Sequence, residues 1–162
     1  METALRPYAV HRDEGEKLSF FGSLTWIKAT GAQTGGALGL IEHVIPPGAG
    51  SPWHVHHNED ESFYVLEGQI LFIVGEEQQR ITAGPGTFVF GPREIPHGFR
   101  NASSAPGRML LQVTPAGFEQ FALTLSQPAP ESGFGPAGPP DMERLMAEAR
   151  KYNIEILGPL PE

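Results

Sequence analysis

Apolar residues in this chain come in short, strand-length runs, many alternating with polar positions and most of them closed by Gly, Pro or Asn. The polar stretch Met1–Lys17 predicts an arm or an edge strand. LSFFGSLTWIKATG (Leu18–Gly31) is rich in aromatic and β-branched residues, which favour a pleated surface, and predicts one or two strands. A turn is expected over Ala32–Gly36. The next strand, within Gly36–Gly48, must end at Pro46-Pro47-Gly48, because proline has no N–H to give a ladder. Further strand-sized runs follow at Ser62–Leu66, Gln69–Val74, Gln79–Ile81, Thr87–Phe90, Gly98–Arg100 and Arg108–Thr114, punctuated by Gly75, Gly84-Pro85-Gly86 and Gly91-Pro92. Many short strands at this spacing predict an all-β sandwich or barrel.

The pattern changes after Thr114. Pro115–Leu125 predicts a short helix or a crossing strand. Gln127–Pro140 carries five Pro and three Gly and predicts a loop, either a lid or a linker. Asp141 then has the position of an N-cap for a helix. Met142, Leu145, Met146, Ala149 and Tyr152 share one face, and Arg150 and Lys151 suit its C-terminus. That apolar stripe predicts packing on the barrel, and Ile154–Pro161 predicts a last extended segment. The expected organisation is a barrel with its arm over 1–126, the loop 127–140, and a C-terminal appendage over 141–162.

Composition narrows the function. The chain has 162 residues, 20 Gly and 16 Pro, in keeping with one domain of short strands and tight turns. A net charge of −8 argues against a nucleic-acid partner, whose phosphates it would repel. The absence of Cys excludes disulfides, thiol nucleophiles and zinc–thiolate sites, so any metal must be held by His and carboxylate. No stretch is apolar enough for a membrane span or a secretion signal, and a cytoplasmic protein is the expectation.

Histidine spacing carries the candidate chemistry. His54 and His56 are two apart, which on a strand puts both imidazoles on one face. His57 should then point away. A hairpin across Asn58-Glu59-Asp60 would fold Glu61 back beside the pair. His97 follows Pro92-Arg93-Glu94-Ile95-Pro96 and opens a strand ending at Asn101. His43 reads as structural and His11 as solvated. Glu59 reads as a solvated turn residue or, on parity with Glu61, as a second carboxylate for proton transfer. Alternation makes Phe63 and Val65 neighbours of Glu61, and Phe99 a neighbour of His97. Phe72, Phe88, Phe90 and Met109 are further wall candidates, with Trp53 at the rim. Such aromatic walls suit a flat apolar substrate, and also any small barrel core.

Gly48, His54, His56, Glu61 and Gly68 follow the pattern Gly-x5-His-x-His-x4-Glu-x6-Gly. Gly86, Pro92, His97 and Asn101 follow Gly-x5-Pro-x-Gly-x2-His-x3-Asn, with Glu94 where the pattern has Gly. Both motifs, in this order, resemble those of the cupin superfamily. The resemblance implies a small jelly-roll (double-stranded β-helix) barrel with a C-terminal helical appendage. It makes His54, His56, Glu61 and His97 ligands of one divalent transition metal, and gives Asn101 and the glycines structural roles. Three imidazoles and a carboxylate accept Ni, Co, Mn, Fe, Cu or Zn. Glu94 needs either a left-handed backbone, at about 1 kcal/mol, or a different turn.

HVHHNEDESFYVLEG, AGPGTFVFGPREIPHGFRN, VTPAGFEQF and YNIEILGP resemble the bacterial single-domain cupins described as quercetin 2,3-dioxygenase-like. That resemblance implies a ring-cleaving dioxygenase taking a flavonol and O2. A deprotonated 3-hydroxyl binds the metal, O2 adds, the heterocycle opens and carbon monoxide leaves, with Glu61 as ligand and base. The alternatives are a non-oxidative metal-dependent decarboxylase, isomerase or lyase, and a non-enzymatic ligand-binding cupin. A homodimer is expected, with the apolar Leu18–Ile27 region as its surface.

Overall fold

The computed structural model describes residues 4–131, 133–135 and 140–162. Its strands are β1 (Leu18–Phe20), β2 (Ser23–Ala29), β3 (Gly39–Ile45), β4 (Trp53–His56), β5 (Asp60–Glu67), β6 (Ile70–Val74), β7 (Gln79–Ala83), β8 (Phe88–Gly91), β9 (His97–Arg100), β10 (Gly107–Thr114), β11 (Gln127–Pro128) and β12 (Ile154–Gly158). Among the described residues three helices join them: α1 (Gly31–Thr34), α2 (Phe118–Leu125) and α3 (Met142–Lys151). Two antiparallel sheets face each other in a jelly-roll arrangement, with orders β11-β1-β2-β3-β10-β5-β8 and β12-β4-β9-β6-β7. Alternation decides what lies between them. Ile41, Ile45, Phe63, Val65, Met109, Leu111 and Val113 from the larger sheet meet Ile70, Phe72 and Phe99 from the smaller.

The strand runs expected from the sequence are all present, and Leu18–Gly31 contains two. The helix at Asp141 is also present, and the Asp141 carboxylate accepts from Arg144 N at 3.1 Å. Two local expectations are corrected. Ala32–Gly36 holds a helical turn, not a plain turn. Thr30 Oγ1 and Gln33 Oε1 satisfy each other's backbone N–H in a capping box, and Gly35 ends the turn at φ 66°. The 127–140 stretch is not wholly loop, since Gln127–Pro128 pairs with β1. The rest of that lid-or-linker segment lies partly outside the described residues.

Within Leu18–Ile27, Leu18, Phe20 and Trp26 are buried in the chain itself, whereas Phe21, Leu24 and Ile27 are only partly buried. Residues 4–16 run across the outer side of the larger sheet. There Lys28 Nζ donates to His11 O at 2.7 Å and lies 3.6 Å from Glu42 Oε2, and Arg108 pairs with Glu42 beneath the Trp26 ring.

Two features place the site. β4 is paired to β12 through four residues and to β9 through one, His54 opposite His97. Asn101, fully buried, donates to Ile45 O at 2.9 Å and Ala105 O at 2.8 Å, and accepts from Ser103 N and Oγ at 3.0 and 2.7 Å. It ties the end of β9 to the end of β3, and truncation would leave a buried carbonyl unpaired. Asn101→Ala should therefore lower the unfolding free energy by about 3 kcal/mol in urea titration, with an unchanged m value.

Candidate metal centre

β4 turns His54 and His56 inward and His57 outward, as its two-residue period requires. His97, the first residue of β9, faces His54. Glu61 reaches them differently from expectation. The chain does not make a hairpin at Asn58–Asp60; it crosses from the smaller sheet to the larger one, and Glu61 on β5 points back across the interior. Its Oε2 lies 2.6 Å from His97 Nε2, 3.3 Å from His56 Nε2 and 3.7 Å from His54 Nε2. One ligand atom from each of the four residues falls within 4.8 Å of all the others, and all four side chains are buried.

The surroundings orient these donors. His54 Nδ1–H donates to Pro52 O at 2.8 Å and His97 Nδ1–H to Ile95 O at 3.0 Å, since a carbonyl can only accept. Both rings thus present Nε2 to the centre. Glu61 Oε2 and a neutral His97 Nε2 are then two acceptors 2.6 Å apart, an arrangement that needs a cation, proton or metal, between them. Neither nitrogen of His56 has a hydrogen-bond partner among the described residues. A buried imidazole with both nitrogens unmatched is costly unless a ligand takes one. Three imidazoles and one carboxylate also suit a first-row transition ion, so this donor set fits a metal.

Neighbouring contacts hold the geometry. Gly91 is opposite Glu61, and a Cβ there would stand 3.0 Å from His97 Nδ1, a contact tight enough to press on the ring. Arg93 grips Asp60 through its backbone N at 2.9 Å and its Nε and Nη2 at 3.1 Å each, locking the start of β5 to the loop before His97. Glu94 adopts φ 67°, the strained option expected of a residue in a glycine position. Its carboxylate meets His57 Nδ1 at 2.7 Å, and Glu155 on β12 meets His57 Nε2 at 3.1 Å. These two carboxylates raise the His57 pKa, Glu94 foremost.

A cavity of about 50 Å³ opens onto His54 and Glu61. Phe99 lines it, as expected, together with Phe20, Phe21, Phe118, His43 and Ile156. Trp53 stands beside the first ligand without lining the cavity, and Phe63, Phe72 and Met109 pack in the core beneath, with Phe63 edge-on to His97 at 6.1 Å. Phe88 and Phe90 are corrected outright. Val89 and Gly91 face inward opposite Phe63 and Glu61, so Phe88 and Phe90 point outward and are 62% and 52% exposed. Glu59 is buried, not solvated. Its Oε1 sits 3.7 Å from His56 Nδ1, away from the cavity. His43 borders the cavity with Nδ1 on Thr25 Oγ1 at 2.9 Å. Phe118 stacks edge-on against His56 at 5.2 Å; the Phe118/Phe121 spacing on one helical face was the available signal for it.

Burial lowers the pKa of His54 to about 4, and the His97 and His56 charges reinforce it. Burial likewise lowers His43 to about 4. Burial also opposes the charge on His56, but Glu61 and Glu59 outweigh it and raise its pKa to about 9. Burial would push Glu61 up, yet the charge on His56 and the three imidazole contacts hold it well below the usual carboxylate range. For His43 and His54 the unfolded chain takes up protons first, so their contribution is complete above 6.5 and lost as pH falls toward 4. For His56 the contribution is complete below 6.5 and lost as pH rises through 9. Metal-free protein should therefore melt highest near pH 6.5 and lower on both sides, as followed by calorimetry.

No helix among the described residues is long and apolar enough to cross a membrane. A cupin-domain family model matches residues 41–113, which contain both motifs. Quercetin 2,3-dioxygenase of Bacillus subtilis is 28% identical over 155 residues, covering 94% of this chain and 45% of that protein. The tetracenomycin polyketide synthase protein TcmJ of Streptomyces glaucescens is 27% identical over 95 residues, covering 58% and 62%. The chain spans about half the length of the curated relatives it matches. Among solved structures, the polyketide cyclase RemF from Streptomyces resistomycificus superposes with a TM-score of 0.59 at 23% identity, covering 67% of this chain and 80% of that one. KdgF from Halomonas sp. gives 0.60 at 16% identity, covering 71% and 98%. Fold, paired motifs and family match agree over the segment that carries the site: residues 41–113 are a cupin domain.

Proposed function

We propose that this protein is a metal-dependent, ring-cleaving dioxygenase acting on quercetin or a related enolizable aromatic. The convergence of His54, His56, His97 and Glu61 beside an aromatic cavity carries the reading, and the likeness to a quercetin 2,3-dioxygenase over 94% of the chain supports it. His54, His56 and His97 would hold the metal through Nε2 and Glu61 through a carboxylate oxygen. A bound divalent ion supplies Lewis-acid polarisation and, if redox-active, one-electron chemistry. Glu61, kept ionised by its three imidazole neighbours, accepts the proton of the substrate's enolic hydroxyl. Phe20, Phe21, Phe99 and Phe118 exclude water from the resulting anion and present flat faces to an aromatic ring. Across the reaction, O2 adds, the oxygen heterocycle opens and carbon monoxide leaves.

A second reading, a non-oxidative cupin enzyme, draws on the likeness to TcmJ and to the fold of a polyketide cyclase. There Glu61 would move a proton without O2, so turnover that persists anaerobically separates the two.

Elemental analysis of purified protein should find about one transition-metal ion per chain, and His97→Ala should lose it. Metal-loaded protein should consume quercetin only with O2, releasing one carbon monoxide per turnover. Glu61→Gln should lower kcat about 100-fold. Absence of quercetin loss with every one of Ni, Co, Mn, Fe and Cu would sink the flavonol reading.

A further inference from the structure

The hairpin joining β1 to β2 turns on Phe21 and Gly22, with φ of 48° and 80°. Left-handed backbone at both positions is the I′ geometry of tight hairpins, which favours Asn or Gly at the first. Phenylalanine holds that conformation only against steric resistance. Its ring packs on Phe20 with centroids 4.4 Å apart, and it stands where two spaces meet. On one side is the cavity over His54 and Glu61; on the other is an outer cleft of about 400 Å³ bounded by α3 and the end of β12. Phe21, Gly50 and Pro52 belong to the walls of both.

The two spaces are complementary. The inner one holds the chemistry but measures only about 50 Å³, whereas small-molecule sites usually take roughly 300–1,000 Å³. The outer one has the volume, but among the described residues no side chain lining it carries a strong hydrogen-bonding group. Phe21, Pro52, Met142, Leu145 and Pro159 supply most of its surface. Strained backbone kept at such a junction points to a role for the side chain it aims.

We propose that Phe21 is a gate, and that the cleft behind it is the subsite for the apolar body of the substrate. The acidic hydroxyl then reaches past the displaced ring to the histidine–carboxylate cluster. This rests on reading the centre as one for an aromatic enol, and within that class it favours enols whose far ring carries fewer polar groups than quercetin's.

Stopped-flow binding of 3-hydroxyflavone to metal-loaded protein tests it, with azide as a ligand small enough to need no gate. Phe21→Asn, which supplies a residue the turn favours, should raise the 3-hydroxyflavone association rate about tenfold and leave azide unchanged. Met142→Trp, which fills the cleft, should weaken 3-hydroxyflavone about tenfold and leave azide unchanged. Phe21→Gly repeats the opening should the asparagine protein fail to fold. An association rate within about twofold of wild type in the Phe21 variant overturns the gate, and an unchanged affinity in Met142→Trp overturns the subsite. Azide binding without any uptake of 3-hydroxyflavone overturns both. None of these readouts depends on turnover: a ligand that enters through the gate and is never oxidised would sink the dioxygenase reading alone.

Discussion

Everything in this molecule answers to one electrostatic requirement: a carboxylate and three imidazoles must meet in a place from which water is excluded. Glu61 and His97 belong to opposite sheets, and their closest atoms are 2.6 Å apart. Buried polar groups at that distance are tolerable only when charge is balanced between them. The two faces of the barrel are therefore joined by the site as well as by the hydrocarbon around it. Gly91 and the Asp60–Arg93 pair serve the same end, since each fixes the distance between the sheets at the level of the ligands.

Much of this was legible in the sequence because it is local. The spacing of His54 and His56 determines that they share a face, and the Pro and Gly punctuation determines where strands stop. Asp141 announced its helix. What stayed hidden depends on pairing between distant segments. Glu61 was expected in a hairpin because it follows the histidines closely; the chain instead changes sheets between them. Phe88 and Phe90 read as wall residues in the sequence, yet their direction is set by the register of β8 against β5, which no local pattern reveals. Of the two readings of Glu59, burial excludes the solvated one, and Glu59 keeps the alternation of Glu61 and Phe63 and is buried as they are. The cavity's Phe20, Phe21, Phe118 and Ile156 come from segments far from either motif, so neither motif could indicate them.

The departure at Glu94 shows how a local cost is absorbed. A glycine would take φ 67° freely, and glutamate does not. In exchange its carboxylate joins Glu155 in holding His57 from both sides. His57 adjoins the ligand His56, so the strained residue steadies the strand that carries two of the four donors.

That strand has a lopsided attachment. β4 meets β9 at a single residue pair, but β12 runs alongside it for four. The C-terminal segment thus makes an interior strand out of what would otherwise be a margin of the sheet. A protease cutting between α3 and β12 would spare every donor atom, yet free the backbone beneath His54 and His56 to fray. Such a cut would disarm the centre as surely as removing a histidine, so the integrity of the tail is a condition for the chemistry in the barrel.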